Sequence, residues 1–472
     1  IQVFLANRHY IRTDTVTDAE ITVKSEMKEG IASAMLYRRG EKASAWSMEY
    51  DEKMLTEKEQ KRIIKRTIYE LLKAETGIRP QWGLLTGVRP AKLISSLLEE
   101  GKTDKECLAF LTEDYLVMPH KAALALKVAK AERKILEDNR PEEISLYIGI
   151  PFCPTRCLYC SFTSYPIGVY KDKVDAYLDT MEKEMEYVAA SYTEKKLVSI
   201  YIGGGTPSSI SAEQMDRLCN MIEKHFDLSQ VREYTIEAGR PDSTTADKLQ
   251  VMKAHGVGRI SINPQTMNGE TLKLIGRAHT PEQAEEAFKR AREAGFDNIN
   301  MDLIVGLPGE DAEMVKRTLE KVKKLAPESL TVHTLAIKRA AHLKQEMDKY
   351  SFAGDVDEQL SLVGQAAEEL GLAPYYLYRQ KNMAGNLENV GYARHGLECL
   401  YNILIMEERT DIIGIGAGSS SKLIRREGDS DPVTGEMITG TRIDRVENCK
   451  SVDDYIARID EMIDRKKQAF AK

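Results

Sequence analysis

The stretch "SLYIGIPFCPTRCLYC", residues 145–160, joins an apolar run to three cysteines. The run is short and rich in isoleucine and leucine, which is typical of a buried strand. Cys153, Cys157 and Cys160 then follow with three and two residues between them. They are three of only seven cysteines in 472 residues, so their proximity requires a chemical explanation.

The pattern around this stretch alternates strands with amphipathic helices. The predicted strands cover residues 144–150, 197–204, 233–238, 259–265, 299–307 and 330–337. The predicted helices between them cover residues 171–190, 211–226, 244–255, 281–294 and 311–325. Six βα units predict a parallel sheet with right-handed crossovers, either doubly wound or curved into a partial barrel. Functional residues of such sheets collect where the strands end, so the cysteines lie where an active site is expected.

Regions on both sides of this core differ from it. Residues 56–77 and 120–138 are predicted helices, and residues 79–101 are a turn followed by a helix. The polar segment "DNRPEE" (138–143) predicts a domain boundary near residue 140, and long helices follow residue 340. We therefore expect an α/β accessory region, the six-unit core and a mainly helical C-terminal domain over residues 1–140, 141–340 and 341–472, respectively.

Composition argues against several classes of protein. A net charge of −7 and a pI of about 5.8 do not favour a surface that coats nucleic acid, so we expect no nucleic-acid partner. The sequence has no run of about 18 apolar residues, so no transmembrane helix is predicted. The four other cysteines are scattered, as expected for reduced thiols in a cytoplasmic protein.

Three interpretations of the clustered cysteines compete. They could be thiols packed in a core, although the flanking Pro-Thr-Arg and the turn position favour exposure. A zinc site usually has four ligands, and no nearby cysteine or histidine supplies a fourth. An iron–sulfur cluster also normally takes four thiolates, but three would leave one iron open to an external ligand. An iron left open in this way can bind and reduce the external ligand.

The spacing of the cysteines and their place after a first strand resemble the radical S-adenosylmethionine (SAM) superfamily. The resemblance implies a partial (β/α)6 barrel in which Cys153, Cys157 and Cys160 hold a [4Fe–4S] cluster. It implies that the fourth iron chelates the amino and carboxylate groups of SAM. One electron from the cluster then cleaves SAM to methionine and a 5′-deoxyadenosyl radical. Whether one or two SAM molecules bind stays open.

Other residues near the strand ends agree with this resemblance. "YIGGGTPS" (201–208) matches the superfamily segment that binds the methionine amino group, although glycines also serve tight turns. Glu237 at a strand end could be solvated, whereas Asp302 inside an apolar run requires a hydrogen-bond donor. The resemblance implies that the SAM-binding residues are Gly203, Gly204, Gly205, Thr206, Glu237, Gln265, Arg277 and Asp302.

Longer strings are similar to the oxygen-independent coproporphyrinogen III oxidase family. They include the opening stretch, "LIGRAHT" (274–280) and "NMDLIVGLPGE" (300–310). "WGLLTGVRPAKL" (82–93) resembles the N-terminal region of the HemZ-type coproporphyrinogen dehydrogenases within that family. The family reaction in haem biosynthesis oxidatively decarboxylates two propionates of coproporphyrinogen III, which gives protoporphyrinogen IX.

The same resemblance implies further features of the reaction. The radical abstracts a hydrogen from the β-carbon of a propionate, and the substrate radical then loses CO2 and one electron. Tyr147 matches a family tyrosine beside the cluster and SAM, which makes it the candidate catalytic residue; a half-buried strand residue is the alternative. A low-potential electron donor such as flavodoxin or ferredoxin is expected, together with a C-terminal domain that covers the substrate.

Two residues depart from the decarboxylase branch. Phe162 stands where that branch usually has a fourth cysteine, and Gly149 stands where it usually has a histidine. Phe162 is shared with the HemW-type haem chaperones. Three hypotheses therefore stay open: the decarboxylase, a haem carrier that retains the cluster, and a radical SAM enzyme that acts on another tetrapyrrole.

Few residues are candidates for binding the tetrapyrrole itself. Lys338 and Arg339 lie at the end of the sixth predicted strand. Their positive charges could pair there with the propionate carboxylates. His395 and Cys399 are candidate haem ligands in the C-terminal region, although a lone histidine is more often structural.

Overall fold

The computed structural model divides the chain into two compact units. It describes residues 1, 4–5, 11, 13–51, 55–336, 343, 354–380, 383–431 and 436–470. The first unit comprises residues 1–129, 379–381 and 385–387, and the second comprises residues 130–378, 382–384 and 388–472. The domain boundaries near residues 140 and 340 remain predictions.

The first unit contains a three-stranded antiparallel sheet and helices. Its elements are β1 (Thr22–Lys28), β2 (Ile31–Arg38), β3 (Glu41–Glu49), α1 (Glu57–Thr76), α2 (Pro90–Glu99) and α3 (Asp104–Ala109), which continues into a π-helical turn. Alternate residues of β2 are buried, so Ala34 and Leu36 pack against Tyr69 and Leu72 of α1. The predicted helix at 56–77 is confirmed. The three strands were not predicted individually.

The second unit carries the predicted βα series. α4 (Pro119–Leu136) leads into it from the first unit. Its strands are β4 (Glu143–Ile150), β5 (Phe152–Cys153), β6 (Tyr165–Pro166), β7 (Lys196–Gly204), β8 (Glu233–Gly239), β9 (Arg259–Gln265), β10 (Ile299–Val305) and β11 (Ser329–Thr334). The helices are α5 (Ile167–Tyr170), α6 (Val174–Ser191), α7 (Ala212–His225), α8 (Ala246–Ala254), α9 (Gly269–Leu274), α10 (Pro281–Glu293) and α11 (Ala312–Leu325).

The C-terminal part of this unit contains helices and also strands. They are α12 (Val356–Glu369), β12 (Ala373–Tyr378), β13 (Asn389–Ala393), α13 (Leu400–Glu407), β14 (Asp411–Ile415), β15 (Ser420–Arg425), β16 (Arg442–Glu447), α14 (Val452–Ala457) and α15 (Ile459–Phe470). The strands were not predicted, because they are short and interrupted by glycines such as Gly391 and Gly414.

In the described part of the second unit, one mixed sheet of eleven strands forms the centre. Its order is β12-β13-β11-β10-β9-β8-β7-β4-β14-β15-β16. The six strands β4, β7, β8, β9, β10 and β11 are parallel, as the alternating pattern predicts. β4 is buried at all but one of its positions, which is typical of a strand covered on both faces. The exception is Tyr147.

Helix caps explain where several crossovers begin and end. Ser211 and Thr280 form capping boxes that start α7 and α10. Gly256 and Gly295 follow α8 and α10 with positive φ angles of 73° and 86°. None of the helices in the described part of the chain combines the length and hydrophobicity needed to cross a bilayer.

Candidate active site at the carboxyl ends of the strands

The three cysteines lie on the loop that follows β4. This cysteine loop, residues 151–160, begins at β5, which pairs with β6. Cys153 and Cys157 are buried, Cys160 is half-buried, and all three are free thiols. The Cys160 amide donates to the Cys157 carbonyl at 3.1 Å, which closes a turn between these two cysteines. The predicted position of the cysteines after the first parallel strand is confirmed.

The glycine loop at the end of β7, residues 203–206, packs directly on the cysteine loop. The amides of Gly205 and Thr206 donate to the carbonyls of Ile150 and Phe152 at 2.8 and 2.7 Å. The Thr206 hydroxyl lies 3.4 Å from the Cys153 sulfur. A Cβ at Gly205 would lie 2.6 Å from the Phe152 carbonyl oxygen and 3.0 Å from that sulfur. Gly205 is therefore required for the contact between the two loops.

The other two glycines of this loop are also explained by close packing. Gly204 has a φ of 111°, and a Cβ there would lie 3.2 Å from the Ile150 carbonyl oxygen. A Cβ at Gly203 would lie 3.0 Å from Glu237 Oε1. These glycines therefore allow close packing against protein atoms, and their contact with SAM stays a prediction.

Glu237 faces a group of stacked tyrosines. The Tyr201 hydroxyl donates to Glu237 Oε1 at 2.6 Å. The ring of Tyr201 stacks on the rings of Tyr147 and Tyr401, with distances of 6.3 and 4.5 Å between the ring centroids. Burial raises the pKa of Glu237 to about 7, against the effect of the Tyr201 hydrogen bond. Tyr201 and Tyr401 were missed, although Tyr201 pairs with Tyr147 in the parallel register and could have been found from it.

Asp302 lies within β10 and has two polar neighbours that the sequence did not indicate. The Asn300 side-chain Nδ2 donates to Asp302 Oδ1 at 2.6 Å, and His333 Nε2 lies 3.9 Å from Asp302 Oδ2. Burial works against ionisation of Asp302, but His333 and the Asn300 hydrogen bond outweigh it and lower the pKa of this carboxyl. Asp302 is therefore an anion at neutral pH with capacity to accept further hydrogen bonds.

The end of β9 presents buried polar atoms without hydrogen-bond partners. Gln265 is 7% exposed and has a φ of 68°, a strained left-handed conformation for a residue other than glycine. Within the described residues, Gln265 Oε1 and Asn263 Oδ1 lack a partner. Because buried polar groups are normally satisfied, these atoms fit a site that receives a polar ligand.

Arg277 touches the cysteine loop. Its Nη1 donates to the Asn263 carbonyl at 2.7 Å, and its Nη2 donates to the Tyr159 hydroxyl at 3.2 Å. Nearby, the Leu158 amide donates to the Ile275 carbonyl at 3.0 Å. Arg277 therefore helps to hold the cysteine loop, and its predicted contact with SAM stays a prediction.

The donor set of the cysteine loop fits a [4Fe–4S] cluster. Burial raises the pKa of the Cys153 thiol to about 11, so iron binding must displace its proton. Among the described residues the three thiols form no ligand set for a single metal ion. A cluster does not need one, since each thiolate binds a different iron. Three sulfurs leave one iron of such a cluster without a protein ligand.

The two departures noted in the sequence have different surroundings. Phe162 is 66% exposed just beyond the third cysteine. A Cβ at Gly149 would lie 3.3 Å from the Ala417 carbonyl oxygen, so a larger residue there requires this backbone to move.

The candidate residues for the tetrapyrrole receive little support. Lys338 and Arg339 lie outside the described residues. Cys399 is fully buried with its thiol 3.4 Å from Glu233, while the His395 side chain is 76% exposed. Cys399 therefore offers no accessible sulfur to a haem.

Comparison with known proteins identifies relatives of this chain. The profile of the Radical SAM superfamily matches residues 147–322. The oxygen-independent coproporphyrinogen-III oxidase-like protein HemZ of Bacillus subtilis is 45% identical over 79% of this chain and 77% of its own length. The heme chaperone HemW of Bacillus subtilis is 33% identical over 58% of this chain and 70% of its own length.

A solved structure has a similar fold. Coproporphyrinogen III oxidase (HemN) from Escherichia coli, described as a radical SAM enzyme, matches with a TM-score of 0.53 and 23% identity over 71% of this chain and 73% of that chain. At this identity the likeness concerns the fold alone. The superfamily match implies a [4Fe–4S] cluster and SAM as cofactors. The chain belongs to the radical SAM superfamily, in the group of oxygen-independent coproporphyrinogen-III oxidase-like proteins to which HemZ and the HemW chaperones are related.

Proposed function

We propose that this protein is a radical SAM enzyme that converts coproporphyrinogen III to protoporphyrinogen IX without oxygen. The observation that carries the proposal is the contact between the three-thiol loop after β4 and the end of β9, where buried polar atoms have no hydrogen-bond partner. Arg277 binds both places. The relationship to a coproporphyrinogen-III oxidase-like protein over most of the chain supports the choice of substrate.

The residues of the site have distinct roles in this proposal. Cys153, Cys157 and Cys160 hold the cluster. When bound, the cluster and SAM would supply the radical chemistry that removes a hydrogen from the β-carbon of a propionate. The SAM molecule is held by the glycine loop and by polar residues at the strand ends, which are Gly203, Gly204, Gly205, Thr206, Glu237, Gln265, Arg277 and Asp302.

The tyrosine stack beside Glu237 forms one wall of the site. Tyr147 and Tyr201 are only partly buried, so their rings can contact a ligand. Flat aromatic side chains suit an extended macrocycle and keep water from a reactive radical. We assign Tyr147 to contact with the reacting groups, and Lys338 and Arg339 to the propionate carboxylates. A low-potential donor such as flavodoxin or ferredoxin in the cytoplasm would supply the electron.

Product analysis tests this function. Anaerobically reconstituted protein is incubated with SAM, a low-potential reductant and coproporphyrinogen III, and the porphyrins are separated by chromatography. We expect a monovinyl, three-propionate intermediate before protoporphyrinogen IX, because two propionates must be presented in turn to one radical site. Cys157→Ala is the control and should give no product. No decarboxylated product from the wild type would contradict the proposal.

A haem carrier is the second candidate. Phe162 in place of the fourth cysteine and the relationship to a heme chaperone favour it. A carrier would retain haem through repeated gel filtration and cleave SAM slowly whether or not coproporphyrinogen III is present. Phe162→Cys is informative: turnover gained only by the variant would show that the missing thiol matters. A wild type that decarboxylates a different tetrapyrrole would point to the third hypothesis.

A further inference from the structure

An ion pair between the buried Arg240 and the more exposed Asp242 lies in the loop that follows β8. Arg240 is 2% exposed, and its Nε and Nη2 donate to the two Asp242 carboxylate oxygens at 2.9 and 2.7 Å. A buried charge is costly unless it is paired and fully hydrogen-bonded. The pairing with Asp242 uses one edge of the guanidinium and leaves Nη1 to bind elsewhere.

The remaining nitrogen of Arg240 binds the cysteine loop. Nη1 donates to the Thr155 hydroxyl at 2.6 Å and to the Thr155 carbonyl at 3.2 Å. Thr155 stands midway between Cys153 and Cys157 in the sequence. Its hydroxyl in turn donates to the Gly276 carbonyl at 3.2 Å. The guanidinium therefore fixes the segment that joins the first two cysteines and presents its charge on that side.

The backbone that carries Arg240 is itself held in place. The Arg240 carbonyl accepts the Ser243 amide at 3.0 Å and the Thr244 hydroxyl at 2.9 Å. A Cβ at Gly239, whose φ is 67°, would lie 3.1 Å from the Thr206 methyl group. Thr206 also contacts the Cys153 sulfur. Arg240 thus belongs to a rigid loop that is packed on the glycine loop and bonded to the cysteine loop.

We propose that Arg240 is a positioning residue that holds the cysteine loop in its cluster-binding shape and raises the reduction potential of the bound cluster. A [4Fe–4S] cluster held by three thiolates is an anion, and reduction makes it more negative. Asp242 binds another edge of the Arg240 guanidinium, so the positive end of this ion pair is the end bonded to the cysteine loop, where it stabilises the reduced form. The inference rests on the proposed assignment of Cys153, Cys157 and Cys160 to the cluster.

The test compares three arginine variants after anaerobic reconstitution. Arg240→Met removes the charge and both bonds to Thr155, and Arg240→Lys restores a charge. Arg290→Met is the matched control, since Arg290 donates to the Thr244 carbonyl of the same loop at 3.1 Å instead of to the cysteine loop. Iron content and the midpoint potential, from a redox titration followed by electron paramagnetic resonance, are the readouts.

Arg240→Met should lower the ratio of reduced to oxidised cluster about tenfold at a fixed ambient potential, which equals ~59 mV for one electron. Iron loss from Arg240→Met that Arg240→Lys reverses would also support the proposal. An Arg240→Met variant with wild-type iron content and potential would overturn it, as would equal losses in Arg290→Met. A wild type that takes up no cluster would instead contradict the proposed function.

A milder variant decides the matter if Arg240→Met does not fold. Thr155 is exposed, so Thr155→Val should fold while losing the 2.6 Å bond to Arg240. Its iron should be lost to a chelator severalfold faster than that of the wild type. An unchanged rate of iron loss would overturn the positioning role.

Discussion

Glu237 and Asp302 are two carboxylates of one site whose proton affinities differ. Burial raises the pKa of Glu237 to about 7, and repulsion from Asp302 adds to this effect. Burial acts in the same direction on Asp302, but His333 and Asn300 outweigh it and lower the pKa. Two carboxyl groups of one site can have different roles when their surroundings shift their pKa values in opposite directions. Near neutral pH, Asp302 is an anion while Glu237 titrates.

The affinity for SAM should therefore increase as pH rises through about 7. Glu237 loses its proton over this range. The carboxylate then attracts the positively charged sulfonium of SAM and can accept hydrogen bonds from the N–H and O–H groups of SAM. Calorimetric titration of cluster-loaded protein with SAM between about pH 6 and about pH 8 measures the change. Glu237→Gln should flatten the profile because an amide does not titrate. Equal slopes for variant and wild type would assign the titration to another group.

At the scale of the elements, continuous apolar runs made the six parallel strands predictable. Because functional residues of parallel sheets lie at the carboxyl ends of the strands, Gln265 could also be chosen from the sequence as a candidate site residue. Tyr401 and His333 could not, since their nearness to the site depends on how α13 packs and on the register of β11. The outer strands β12 to β16 were missed for a related reason: short strands acquire their structure from neighbours in the sheet.

The glycine loop gives a prediction at this scale. Gly205→Ala should reduce the iron content after reconstitution, because a Cβ there would lie 2.6 Å from the Phe152 carbonyl oxygen and displace the cysteine loop. Gly258→Ala is the matched control, since a Cβ at Gly258 meets no atom within 4 Å. Iron per protein is measured by colorimetric assay. Full iron content in Gly205→Ala would show that the two loops tolerate separation.

At the scale of the whole molecule, a buried ion pair ties the last helix to the sheet of the second unit. Lys466 on α15 and Glu184 on α6 are both fully buried, and their Nζ and Oε1 atoms lie 2.6 Å apart. The Gly416 amide donates to the other Glu184 oxygen at 2.9 Å. A Cβ at Gly416 would lie 2.6 Å from the Gly149 carbonyl oxygen. The network therefore reaches β4 just before the cysteine loop.

Removing one member of this pair should lower the free energy of unfolding. Lys466→Met should cost about 3–5 kcal/mol, because it leaves the buried Glu184 carboxylate without its counter-ion. The double variant with Glu184→Gln should recover part of this loss. Lys467→Met is the control: Lys467 pairs with Asp464 at the surface, so its loss should cost less than about 1 kcal/mol. Urea unfolding measures all three, and equal effects of Lys466→Met and Lys467→Met would contradict the account.

The central claim is that a radical formed beside the cysteine loop attacks a propionate of coproporphyrinogen III. Substrate deuterated at the propionate β-carbons tests it most directly. Reconstituted protein, SAM and a low-potential reductant are mixed with this substrate without oxygen, and 5′-deoxyadenosine is analysed by mass spectrometry. The account predicts one deuterium in the 5′-deoxyadenosine formed together with each new vinyl group. 5′-Deoxyadenosine that forms at the same rate without substrate and carries no deuterium would contradict it.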